Sequence, residues 1–212
     1  MTRFNPDCRL CPRLAGYLQD TRKKYPDYFA RPVPPFGGKN PGLLIVGLAP
    51  GMHGANATGR PFTGDFAGIL LYETLYKFGF ANQPQSTNCN DGLKLYNCRI
   101  TNAVKCVPPA NKPEAAEINT CNRYLQTELA ALKGGAVVLA LGRIAHNAVV
   151  KAFSLQQSRY VFAHGYSHPL PKDRWLLDSY HCSRYNTQTR RLTAKMFQDI
   201  FYKVNELLNI TN

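Results

Sequence analysis

Asn56, Asp65, Asn102 and His181 each stand where an apolar run ends, and that placement gives them a chemical use. Asn56 and Asp65 lie in the glycine-rich segment after Leu43-Leu44-Ile45-Val46, Asn102 stands near the end of the run Leu95–Val104, and His181 follows Trp175–Tyr180. A carboxylate or amide so placed can position a water, and an imidazole can donate to negative charge developing on a leaving group. An asparagine amide offers one acceptor and two donors, which suits reading the edge of a base. Phe62, in the same glycine-rich segment, offers a flat face for stacking. Each residue also has a plain structural use. Asp65 can cap the helix that follows it, and Asn102 can satisfy a strand end.

The segment Gly47–Asp65 carries no Lys followed by Ser or Thr and no GxGxxG spacing. It is therefore neither a phosphate-gripping P-loop nor a dinucleotide fingerprint. Residues 1–6 lack the apolar stretch of a secretory signal, so a cytosolic chain is expected, in which the seven cysteines are not expected to form disulfides. Cys8 and Cys11 form a CxxC pair, and Cys106 and Cys121 flank a proline-rich turn and a helix start. Four thiolates suit zinc or an iron–sulfur cluster. Zinc would bring a second CxxC or a nearby histidine, and neither is present, so the spacing favours a cubane cluster. Cys98 lies within an apparent strand, as an ordinary small apolar side chain. His146, His164 and His168 show no ligand spacing, and no metal site is expected there.

Alternating apolar patterns must position these residues. Strands are expected at Leu43–Gly47, Leu95–Val104, Ala136–Leu141 and Trp175–Tyr180, with helices at Leu14–Tyr25, Phe66–Phe78, from Pro113 to Leu132, Gly142–Phe153 and Leu192–Leu208. Strands alternating with helices predict an α/β chain, a three-layer α/β/α sandwich around a central four-stranded parallel sheet. Loops leaving strand C-termini converge on one edge of such a sheet, bringing Asn56, Phe62, Asp65, Asn102 and His181 toward one pocket. The 212 residues read as a single domain, 1–212. Twenty-six Lys and Arg against 13 acids give a net charge of +13, which points to a polyanionic partner, nucleic acid before anionic membrane. No apolar run is long enough to span a bilayer.

Four stretches carry a resemblance: Gly47-Leu48-Ala49-Pro50-Gly51, Gly59–Asp65, Thr101–Cys106 and His181–Thr189. With the four cysteines, they resemble the type B, or family 5, uracil-DNA glycosylases over nearly the whole chain. The resemblance implies a monofunctional glycosylase of base-excision repair that hydrolyses the N-glycosidic bond of uracil, hypoxanthine or other deaminated bases in DNA. It implies a 4Fe-4S cluster on Cys8, Cys11, Cys106 and Cys121 that ties down the N-terminal segment. Base contacts fall to Ala49, Gly51, Phe62 and Asn102, catalysis to His181 with Asn56 or Asp65, and DNA contacts to Arg184, Tyr185 and Asn186. The implied substrate is double-stranded or single-stranded DNA, handled by a cytoplasmic, nucleoid-associated monomer.

Two features stand out. Other, related glycosylase families place an acid or amide where this chain has Leu48 and Ala49, which cannot activate water, and the type B pattern shares that gap. Cys182 and Arg184 replace prolines of the last motif, so a more flexible insertion loop is expected. The alternative class is a non-catalytic iron–sulfur module that binds or senses damaged DNA. It predicts salt-sensitive binding without cleavage.

Overall fold

Leu43–Gly47 is apolar on both of its faces because it lies at the centre of a sheet covered on both sides. The structure, a computed structural model, describes residues 3–210. Its elements run α1 (Pro12–Lys24), β1 (Phe36–Gly37), β2 (Leu43–Gly47), α2 (Ala55–Thr58), α3 (Phe66–Lys77), β3 (Cys98–Asn102) and α4 (Ala115–Ala130). Then come β4 (Val137–Leu141), α5 (Arg143–Ala152), β5 (Ser167–Leu170), β6 (Arg174–Ser179), α6 (Arg184–Gln188) and α7 (Ala194–Ile210).

The strand order is β1-β3-β2-β4-β6-β5. The inner four strands are parallel, as expected, with Gly47 opposite Asn102 and Leu141 opposite Ser179. Two antiparallel edges extend the expected sheet to six strands: β1 on β3 and β5 on β6. Neither edge has a long apolar run. β1 is two residues, and β5 contains Pro169, a residue that belongs on sheet edges.

Alternation along β2 sends Leu43 and Ile45 toward α3 and α7, where Leu71, Leu75, Phe197 and Phe201 are fully buried. Leu44 and Val46 face Leu125 of α4 and Val149 of α5. Each fully buried side chain of this size contributes about 1.5–3 kcal/mol. A third cluster packs Leu14 and Leu18 of α1 against Val104, Val107 and Tyr124. Arg13 of α1 grips Glu117 of α4 through both carboxylate oxygens, at 2.8 and 2.7 Å. Glu117 also closes a capping box with Glu114, which starts α4 just after the turn at Pro113. No helix of the described residues is long and apolar enough to cross a membrane.

Candidate active site

Loops from the C-terminal ends of β2, β3 and β6 enclose a cavity of about 470 Å³. Its wall includes Leu48, Ala49, Gly51, Phe62, Asp65, Asn102 and His181, with Phe66, Asn111, Ser183 and Arg184 at its margins. Leu48 and Ala49 thus bring no polar side chain to it.

Phe62 is held there by strong local constraints. Its φ of +57° is costly for an aromatic residue, so its surroundings must enforce it. Gly68 of α3 leaves no room for a Cβ above the Phe62 carbonyl, and the Tyr72 hydroxyl donates to the Pro61 carbonyl at 2.7 Å. The buried Arg60 guanidinium reaches Asp91 at 2.8 Å, Ser86 at 3.0 Å and the Cys89 carbonyl at 2.8 Å. That pairing holds the Asp91 carboxyl down at about 2 against the opposing effect of burial. Gly47 is glycine because a Cβ there would lie 2.6 Å from Phe62 Cζ and closer still to Asn102 Oδ1.

The Asn102 side chain is buried at the end of β3, and its Oδ1 has no hydrogen-bond partner among the described residues. A buried, unmet acceptor on a cavity wall calls for a donor from a ligand. The His181 ring stacks on Phe62 with centroids 5.9 Å apart and planes at 27°. Enclosure lowers its pKa to about 4, so the ring is neutral near pH 7 and carries one N–H. Asp65 is the N-terminal flank of α3 but makes no side-chain cap to it. Its Oδ2 instead accepts from the Ala55 amide at 3.2 Å, with the carboxylate folded over Gly51 and Gly54. Burial raises the Asp65 pKa, outweighing that hydrogen bond.

Asn56 is not on the cavity wall. It is fully buried, its Nδ2 donates to the Met52 carbonyl at 3.3 Å, and its Oδ1 is unpartnered. Residues 184–188 form the short helix α6, with Ser183 Oγ accepting from the Asn186 amide at 3.4 Å. A helical turn thus stands where a flexible loop was expected, because the Ser183 side chain supplies its N-terminal cap. Arg184 and Tyr185 are exposed, and the Arg184 guanidinium lies 5.5 Å from the Phe66 ring centroid. Asn186 turns inward, its Nδ2 donating to the His181 carbonyl at 2.8 Å. Asn111 was not anticipated as a wall residue. It follows the Pro108-Pro109 turn with a φ of +56°, a left-handed backbone state that asparagine tolerates better than most residues.

Cys8, Cys11, Cys106 and Cys121 line one small cavity with Leu14, Val104 and Tyr124. Burial first, then the other thiols and Glu117, pushes Cys11 up to about 11, and burial with the neighbouring thiols likewise raises Cys106. The Lys105 amide donates to Cys121 Sγ at 3.3 Å. The buried Lys105 ammonium bonds Thr101 Oγ1 and, at 2.7 Å, Glu128, linking this cavity to the strand that ends in Asn102. Elsewhere, His146, His168 and Asp178 meet in the interior. No spacing along the chain announces this meeting, because the three residues come from α5, β5 and β6.

The sequence model of the Uracil DNA glycosylase superfamily matches residues 34–205. The chain is 46% identical over 208 residues to the Type-5 uracil-DNA glycosylase of Thermus thermophilus, covering 96% of this chain and 94% of that one. A Type-5 enzyme of Pyrobaculum aerophilum is 40% identical over 198 residues, covering 92% and 86%. A Type-4 enzyme of Archaeoglobus fulgidus is 32% identical over 150 residues, covering 70% and 61%. The crystal structure of wild-type Pedobacter heparinus SMUG2 superposes with a TM-score of 0.51 over 81% of this chain and 77% of that one, at 14% identity, a likeness of fold. A matching profile and relatives of nearly equal length agree with the sheet-edge cavity, and the chain belongs to the uracil-DNA glycosylase superfamily.

Proposed function

We propose that the cavity receives a uracil flipped out of DNA and that the chain hydrolyses its N-glycosidic bond, the first step of base-excision repair. The observation that carries this reading is the unmet Asn102 Oδ1 beside the Phe62 ring. Uracil offers a ring N–H to that acceptor, a neighbouring carbonyl to the Asn102 amide N–H, and a flat face to Phe62. Flipping costs a few kcal/mol, least for a mispaired base, so U:G pairs and other deaminated bases such as hypoxanthine are natural substrates.

The bond between C1′ and the base breaks with its electron pair leaving on the base, and the sugar becomes oxocarbenium-like. The neutral His181 N–H donates to the carbonyl where that charge collects. Water supplies the oxygen that joins C1′, and its proton passes to Asp65, the only carboxylate among the cavity-lining residues. The raised Asp65 pKa suits a base that must take up a proton near neutrality. Ala49 and Gly51 let the base approach the loop backbone. Arg184, Tyr185 and the chain's excess positive charge meet the phosphates of double- or single-stranded DNA, which the chain acts on as a monomer.

The four cysteines fit an iron–sulfur cluster better than a zinc ion. Zinc–sulfur bonds of about 2.3 Å would hold the sulfurs about 3.8 Å apart. Among the described residues, the one ligand group with all atoms within 4.8 Å of each other is His146, His168 and Asp178, not the cysteines. Cys8, Cys11, Cys106 and Cys121 would hold a 4Fe-4S cluster, whose part is to fasten α1 to α4 and the loop after β3.

The test is abasic-site formation in duplexes carrying U:G, U:A and hypoxanthine, with iron content measured in the same sample. Cleavage of uracil is expected, and His181→Ala should slow it by about 10²–10³. Iron-loaded protein that binds these duplexes in a salt-sensitive way yet leaves all of them uncut would be a damage sensor instead.

A further inference from the structure

We propose that His146, His168 and Asp178 form a buried binding site for a zinc-class divalent cation, separate from the cysteines. One ligand atom from each residue lies within 4.8 Å of the others, and all three side chains are buried. The second nitrogen of the His146 ring is already committed. His146 Nε2 lies 2.9 Å from the Tyr160 carbonyl and must donate to it. Its Nδ1 and the buried, unpartnered Nε2 of His168 both turn toward Asp178, at 2.7 and 3.6 Å. His146 is oriented as metal-ligating histidines are, by an N–H donated to a backbone carbonyl.

The decisive atom is His168 Nε2. Its residue is 5% exposed, and the nitrogen faces Asp178 Oδ2 at 3.6 Å, too far for a hydrogen bond. A buried ring nitrogen with no hydrogen-bond partner, beside a fully buried carboxylate, is a donor set that a cation would satisfy. Zinc bonds of about 2.0–2.2 Å place ligand atoms about 3.2–3.6 Å apart, which the His168–Asp178 separation already meets. The 2.7 Å contact of His146 Nδ1 with Asp178 Oδ1 must open by less than about 1 Å. In the metal-free protein that contact carries the proton, and metal binding releases it to solvent.

Two imidazoles and one carboxylate suit zinc or another first-row divalent ion rather than magnesium or calcium. Arg143 near His146 opposes any cation, so the donor set must outweigh it. The Ala163 amide steadies Asp178 Oδ2 from 3.3 Å. A bound ion would lock α5, β5 and the Tyr160–Ala163 segment onto β6, three residues before His181.

The experiment uses the full chain with iron in its cysteine site, titrated with zinc against a chromophoric chelator and examined by zinc-edge X-ray absorption. About one zinc per chain with nitrogen and oxygen ligands is expected. His168→Gln should lower that affinity by at least about 10–100-fold while iron content stays unchanged. Absence of retained zinc, sulfur-only ligation, or equal zinc affinity in His168→Gln overturns the proposal. If His168→Gln does not fold, the ligand type in the unaltered protein decides.

Discussion

Adding one methyl group at Gly47 tests the proposed base pocket without substituting any residue assigned to it. In Gly47→Ala the new Cβ would stand 2.6 Å from Phe62 Cζ and 2.8 Å from Cε2, where ordinary contact begins at 3.4 Å. The ring must therefore retreat by about 0.8 Å, and Asn102 Oδ1, closer still to the new Cβ, must move as well. Retreat is obstructed because Gly68 and the Tyr72–Pro61 bond clamp the Phe62 backbone and the His181 ring stacks against it. Overpacking of this size costs about 1–3 kcal/mol. That is small against a domain stability of about 5–15 kcal/mol, so the variant folds. A displacement near 1 Å at a positioning group costs about 10² in rate. Single-turnover cleavage of a U:G duplex should fall by about that factor, with a melting temperature lowered by several degrees. A folded Gly47→Ala protein that cleaves within about threefold of the parent would refute the reasoning, since Phe62 and Asn102 could not then be the surfaces that hold the base.

Other expectations concern charge. Because His181 is neutral down to about pH 4, the rate should show no inflection near the ordinary histidine pKa of about 6.5. Its folded pKa lies below the unfolded one, so its contribution to stability is full above about pH 6.5 and is lost as pH falls toward about 4, which acid titration of the melting temperature will show. The acid limb of the rate profile belongs to Asp65, whose pKa is raised. Asp65→Asn should remove that limb and slow cleavage, and an unchanged limb would exclude Asp65 as the base. Arg60→Met leaves Asp91 buried without its cation, and denaturant unfolding should show a loss of about 3–5 kcal/mol.

The parallel strands were legible because a strand buried on both faces must be apolar along its whole length, and Leu43–Gly47 and Val137–Leu141 satisfy that requirement. β1 and β5 escaped notice because an edge strand needs only pairing, which leaves no run to see. The site was legible where a loop joins a strand end: Phe62, Asp65, Asn102 and His181 share a wall because parallel strands put their C-terminal ends on one edge. Asn56 has the same chemistry and the same loop, but Ala55–Thr58 turns helical and carries its side chain inward to Met52.

The sequence by itself determined the four parallel strands, the sheet edge that holds the cavity and the four cysteines, because periodicity and strand polarity act along the chain. Only the tertiary structure decided which polar groups meet. Asn186 faces His181 rather than solvent, Asp65 bonds the Ala55 amide rather than capping its own helix, and His146, His168 and Asp178 converge from three elements. Such meetings depend on how layers pack and which backbone groups are left to satisfy, and no spacing within the chain records that.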